Sequence, residues 1–257
     1  MGRRRQRHFD ASTAGCEMVI DCRGTVQNSY SSPYYIVEIV GKGRSQYSAQ
    51  TLNIYTPSLF NAKINGQPAI APASQKAVII NKSTGSPSPQ LTAASTSCSV
   101  FMCGKSSEPS SGTSYSRFLG AQPDTTAFYG FKNTSYPSGA TPKIASFFGN
   151  GSGTWNDLNE NTPSVAADEP FAAVISNDST SSVCSVNTTT QNSKTVTGSV
   201  TYAFTDWSGL VEPGTYNVSQ AWAGQIGMFA VASTKLSTPV ERRILQMMGR
   251  VWRIHTL

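Results

Sequence analysis

Short apolar or β-branched runs recur along the chain from about Val19 to Ser233, each closed by a cluster of Gly, Pro, Asn and Ser. That rhythm predicts many short strands joined by turns. Residues 35–40 form the first clear strand, ended by Gly41, and 77–80, 97–102, 143–148, 171–176 and 183–186 follow. Residues 195–202 alternate Val with Thr, which places one face on a core and the other in water. Residues 225–231 are almost wholly apolar, the signature of a strand buried on both faces. No internal repeat of fixed period appears, so one domain is the economical reading.

Near the C-terminus the period changes from two to that of a helix. Thr238 suits an N-cap, Pro239 the first helical position, and Glu241 completes a capping box three residues on. Val240, Ile244, Met247 and Val251 then recur at helical spacing, predicting one apolar stripe docked on the domain, with Arg242, Arg243, Arg250 and Arg253 mostly off it. The helix is expected at about 238–253.

Composition narrows the class further. The 257 residues are 38% hydrophobic and only 13% charged, with 14 Pro and 21 Gly. That is long enough for a sizeable core and unlike a helical bundle or coiled coil. No stretch approaches the ~18 apolar residues of a membrane-spanning helix, so no membrane partner is expected. The expected fold class is all-β, a sandwich with a short terminal helix.

The formal charge of +6 is unevenly placed. Arg3, Arg4, Arg5 and Arg7 supply four charges, which leaves +2 on the rest and a body that reads as nearly neutral. Residues 1–12 are a basic arm and residues 13–257 the sandwich. No apolar segment follows the arginines, so the arm is no secretory signal. It reads either as a contact to nucleic acid or an acidic neighbour, or as a solvated terminus. Nucleic-acid contact is confined to this arm, since only the tail shows clustered basic residues.

Candidate chemistry is sparse. The five cysteines (Cys16, Cys22, Cys98, Cys103, Cys184) show no CxxC spacing, and His8 and His255 lie at the chain ends, which disfavours zinc and a Cys/His or Ser/His catalytic pair. Reduced, buried thiols are the expectation. A retaining glycosidase needs two carboxylates ~5–5.5 Å apart, yet no two of the fourteen acids stand two apart on a strand. An enzyme is not expected. The glycine-rich 149–153 lacks the following Lys-Ser/Thr of a phosphate loop and reads as a turn. Beside it, Trp155, Asn156 and Asp157 are read as an exposed loop that combines an aromatic face with short polar groups, as a sugar-binding loop requires. Packing of Trp155 onto the sandwich rim is the other reading, and Trp207 in Asp206-Trp207-Ser208 offers the same choice.

One family resemblance runs through these landmarks. Gly41-Lys42-Gly43-Arg44, then Ile64-Asn65-Gly66-Gln67-Pro68-Ala69-Ile70, resemble the "sGnGr … lNGkPavrFdG" stretch that opens many concanavalin A-like (LamG-type) domains of phage and bacterial surface proteins. Trp222 through Val231 resembles that family's closing strand, "f.G.IaEvivy", and Lys235 through Ile254 its terminal helix. Ala71-Pro72-Ala73 replaces the usual Phe-Asp-Gly, and Gly227-Met228 the usual acidic position. The resemblance implies a jelly-roll sandwich of two antiparallel sheets. It allows calcium, though no residue here supports it, and no cofactor is expected.

Two functions follow as expectations. The first is a non-enzymatic virion structural, decoration or fibre protein of a bacteriophage, assembled in the host cytoplasm and contacting other virion proteins and copies of itself. The alternative is a carbohydrate-binding, lectin-like adhesion module for host surface glycans, using Trp155, Asn156, Asp157 and Trp207.

Overall fold

The computed structural model describes residues 15–16, 18–23, 26–27, 38–40, 47–51, 63–69, 78–82, 97–107, 115–121, 127–134, 143–150, 155–157, 165–178, 180–187, 192–195, 206–208, 222 and 224–255. In chain order the strands are β1 (Met18–Asp21), β2 (Val26–Gln27), β3 (Glu38–Val40), β4 (Tyr47–Thr51), β5 (Lys63–Ile64) and β6 (Gln67–Pro68). Then come β7 (Val78–Lys82), β8 (Cys98–Ser106), β9 (Tyr115–Ala121), β10 (Ala127–Thr134), β11 (Lys143–Asn150) and β12 (Trp155–Asp157). The last are β13 (Pro170–Asn177), β14 (Ser181–Val186), β15 (Asn192–Thr195), β16 (Asp206–Ser208) and β17 (Gly224–Ala232), followed by helix α1 (Thr238–Trp252).

These strands build two antiparallel sheets and one small hairpin. The six-stranded sheet runs β1-β17-β8-β13-β14-β15, the nine-stranded sheet β12-β11-β10-β9-β16-β7-β4-β3-β2, and β5-β6 pair alone. The expected all-β class with a terminal helix is what the chain adopts. The runs expected at 97–102, 171–176 and 225–231 become β8, β13 and β17, the centre of the six-stranded sheet. They are buried almost throughout, and the reason is that both faces of this sheet are covered. One face meets the other sheet, where the hydroxyls of Ser146 on β11 and Ser182 on β14 lie 3.1 Å apart. The other face carries α1, which packs on β8 and β13. Of the run expected at 195–202, only Thr195 falls within the described residues.

Helix α1 begins where the sequence predicts, but two details differ. Ser237, not Thr238, is the N-cap, and it makes no side-chain cap bond. Its carbonyl accepts from the amides of Val240 and Glu241. Glu241 leaves the solvent altogether: it is 1% exposed and its Oε1 accepts a 2.7 Å hydrogen bond from Ser99 Oγ on β8. The core-facing side is therefore Glu241, Ile244, Leu245, Met248 and Trp252, while Val240, Met247 and Val251 are only partly buried. The apolar stripe is rotated by about one residue from the expected one, because the Ser99 hydrogen bond draws a polar residue into the interface.

The C-terminal end of α1 is held by three separate parts of the chain. Arg253 adopts the left-handed conformation (φ 55°, ψ 40°), and the Ile254 amide returns to the Gly249 carbonyl at 2.8 Å, closing a Schellman turn. The terminal carbonyls of a helix lack intrahelical partners. Here Asn65 Nδ2 donates to the carbonyls of Trp252 and Arg253, each at 3.0 Å. Asn65 is placed for this by the Asn-Gly turn between β5 and β6, where Asn65 and Gly66 both take positive φ (49° and 82°), the dihedral signs of a type I′ hairpin. The Trp252 ring, fully buried, lies on β17 at Gly227 and is covered by the Arg23 guanidinium 5.7 Å from its centroid. At Gly227 the register of β17 against β8 shifts, forming a bulge. A Cβ there would sit 2.6 Å from two Trp252 ring carbons, so the indole demands a glycine.

Replacing Gly227 with Ala is therefore expected to lower unfolding free energy by about 1–3 kcal/mol, the usual cost of overpacking a filled core. Urea unfolding of the variant checks it; an unchanged midpoint would show that Trp252 can shift without cost.

Candidate functional site

The four residues marked for ligand contact belong to one sheet. Trp155, Asn156 and Asp157 are expected in a loop, but their backbone forms β12, the edge strand of the nine-stranded sheet, paired with β11 through Gly149, Phe148 and Phe147. The Gly/Asn-rich composition around them conceals this, because the strand arises from pairing with β11 rather than from local preference. Trp207 lies in β16, between β9 and β7. For these four residues the backbone is described and the side chains lie outside the described residues, as do Arg3, Arg4, Arg5 and Arg7 entirely.

Register assigns the positions to faces. A single cross-strand row runs Asn156, Phe148, Tyr129, Gly120, Trp207, Ile80, Ala49, Ile39, Val26 across all nine strands. By the two-residue alternation of strands, positions in this row share the face of Ile144, Ser146 and Phe131. Those three are buried, and Ser146 touches the six-stranded sheet. Positions 156 and 207 thus belong to the inward face and positions 155 and 157 to the face turned away from the other sheet. Four strand spacings separate 156 from 207, roughly 19 Å. The sheet gathers all four residues without bringing them to one point, and positions 155 and 157, about 7 Å apart along β12, share one face.

The described polar side chains form local structural pairs. Asp178 closes the β13–β14 turn. Burial pushes its carboxyl upward, but donation from Lys235 Nζ (2.6 Å), from the Thr180 hydroxyl and from the Thr180 and Ser181 amides holds it well below the usual carboxylate range. Asp21 pairs with Arg23, Asp168 accepts from Ser107 Oγ, and Glu169 accepts from the Ala166 amide. Glu241 accepts from Ser99 Oγ. Among the described residues, no three His, Cys, Asp or Glu side chains group as metal ligands would. No helix described is long and apolar enough to cross a membrane.

All five cysteines are buried. Burial pushes the Cys184 thiol up to about 12. It raises Cys98 well above the ordinary value, helped by Glu241, and Cys103 likewise, helped by Cys22 and Asp21. These are protonated core thiols, poor nucleophiles at neutral pH. On the surface, a different cluster stands out: Arg242, Arg243 and Arg250 on α1 and Arg253 just past its end are all exposed. The expectation that only the tail carries clustered basic residues is corrected by this helix face, which an average over the body had hidden.

Two outcomes follow from these pairs. Iodoacetamide at pH 8 should alkylate no cysteine of the folded chain and all five after denaturation, read by mass spectrometry; labelling of the native chain would place a thiol at the surface. The depressed Asp178 carboxyl stabilises the fold above the ordinary Asp pKa of about 3.9, and this contribution is lost as pH falls further. Asp178→Asn should therefore be less stable than the parent at pH 7, with the two stability curves drawing together progressively as pH falls below about 4; a constant gap across that range would assign the effect to packing.

No protein-family model matches the chain, and none of the curated proteins matches it. Solved structures do. The botulinum neurotoxin serotype D binding domain superposes with a TM-score of 0.58 at 11% identity, over 92% of this chain and 52% of that one. The binding domain of botulinum neurotoxin DC in complex with SialylT gives 0.55 at 7% identity, over 91% and 52%. A structure of botulinum neurotoxin type C, a toxin whose cell entry is described as dependent upon interaction with two ganglioside molecules, gives 0.52 at 7% identity, over 90% and 51%. The chain spans about half the length of these solved chains, and likeness at such identities shows a shared fold.

Proposed function

We propose that the chain is a non-catalytic, carbohydrate-binding β-sandwich module that adheres to surface glycans, built as a concanavalin A-like jelly roll. One observation carries the reading: the chain follows, over nine-tenths of its length, the fold of binding domains whose structures concern SialylT and gangliosides. The two antiparallel sheets, the pairing of the first strand with the last and the terminal helix support the jelly-roll assignment. The contact surface in this reading is the outer edge of the nine-stranded sheet. Trp155 supplies a face for the apolar side of a pyranose, and Asp157, two residues on, supplies acceptors for its hydroxyls. The reading as a virion component draws on the sequence alone.

A glycan array followed by isothermal titration tests the proposal. At least one saccharide should bind at millimolar concentration or below, and Trp155→Ala should weaken that binding roughly tenfold, about 1.4 kcal/mol, with an unchanged melting midpoint. No saccharide bound at millimolar concentration would overturn it.

A further inference from the structure

The arginines of α1 are where the charge of this chain is concentrated. Arg242, Arg243 and Arg250 are exposed, as are Gln246 between them and Arg253 just past the helix end. At 3.6 residues per turn, positions 242, 243, 246 and 250 fall within about 100° of arc and along roughly 12 Å of axis. They form one stripe on the side opposite Ile244, Leu245 and Met248. The helix has a single acid, Glu241, and it is buried under the stripe's far side. Elsewhere Asp21 holds Arg23 and Asp178 holds Lys235. Of the formal +6, the arm supplies three (four arginines less Asp10) and the helix arginines less Glu241 another three. Everything else in the chain therefore sums to zero, and all net positive charge resides in these two segments.

Arg253 adds an independent observation. It occupies the left-handed position that closes the helix (φ 55°), where glycine is the ordinary and conformationally favoured residue. Its side chain is exposed and fills no core space. The position thus holds a guanidinium against the preference of the backbone.

We propose that the arginine face of α1, with Arg253 at its end, binds the phosphate backbone of double-stranded nucleic acid. The face is arginine throughout, and the guanidinium fork pairs phosphate oxygens bidentately. The exposed helix residues include no aromatic side chain on which an unstacked single-stranded base would stack. The apolar side of the helix is occupied by the sandwich, so α1 has nothing to insert into lipid. A regular, rigid row of charge without stacking groups suits a regular, rigid polyanion read through its backbone and not its sequence. This site is separate from the saccharide edge and does not rest on it.

Fluorescence anisotropy of a labelled random-sequence DNA duplex, titrated with the full chain at several salt concentrations, tests the proposal. Each phosphate contact contributes about 0.9 to the slope of log Kobs against log[salt]. The variant Arg243→Gln/Arg250→Gln/Arg253→Gly should reduce that slope by about 2.7 while its melting midpoint stays at or above the parent's, since glycine relieves the left-handed position. Arg243→Lys/Arg250→Lys, which keeps the charge, should retain most of the slope and guards against a folding defect in the triple variant. Replacing Arg3, Arg4, Arg5 and Arg7 with Gln should leave residual, salt-dependent binding. The proposal is overturned by an unchanged slope in the triple variant, by complete loss of binding in the arm variant, or by binding to heparin with none to the duplex at the same salt.

Discussion

The contact on which the rest of the structure depends is the seat of Trp252 on the bulge at Gly227. A sheet with two apolar faces must cover both, and among the described residues α1 packs on the second face of the six-stranded sheet. That helix is docked at its far end by one indole. The bulge admits the ring, the absence of a Cβ lets it lie against the backbone, Arg23 from the turn after β1 covers it, and Asn65 from the β5–β6 turn satisfies the carbonyls beside it. Parts of the chain some 190–230 residues apart in sequence meet there. Met228, next along β17, is fully buried on the helix-covered face, where an unpaired carboxylate would carry a large desolvation cost.

Polar groups inside the sandwich fix where the layers sit. Ser146 and Ser182 pair across the two sheets, and Ser99 bridges β8 to α1 by donating to Glu241 while accepting from the Leu236 amide at 2.9 Å. Apolar packing alone would tolerate a sliding helix. A buried carboxylate that loses its partner when the helix moves does not. The indole nitrogens of Trp222 and Trp252 have no partner among the described residues, so those two rings are held by shape: Trp222 edge-on to Phe171 at 6.0 Å, Trp252 on its glycine. Shape and hydrogen bonding thus divide the work, with the rings setting the depth of docking and the hydroxyls its register.

What the amino-acid pattern disclosed follows from which forces are local. The central strands were legible because continuous apolar runs have one economical use, burial on both faces, and β8, β13 and β17 extend the expected runs by a few residues. Helix α1 was legible from Pro239 and its period. Its phase was not, because counting Glu241 as polar assumed that polar means exposed, and only the partner at Ser99, 142 residues away, makes it otherwise. Residues 155–157 failed for a related reason: a short edge strand owes its existence to the neighbouring strand, and the glycines around it outvote its own weak preference. The split of the ligand candidates between two faces is a matter of register, which no single segment contains.

Charge shows the same distinction between an average and an arrangement. A body at +2 looks electrostatically idle, and as a mean it is. Folding removes the idleness by pairing Asp21 with Arg23 and Asp178 with Lys235, by burying Glu241, and by turning the remaining helix arginines outward in one row. At physiological salt, fields from exposed charges decay within about 8 Å, so a partner responds to the row and not to the sum. The helix that completes the core therefore also sets the electrostatic character of one side of the molecule. The outer face of the nine-stranded sheet lies on the other side of the sandwich. A ligand held at the β12 edge and a polyanion held along α1 would lie on opposite sides of the same core, with neither in the other's field.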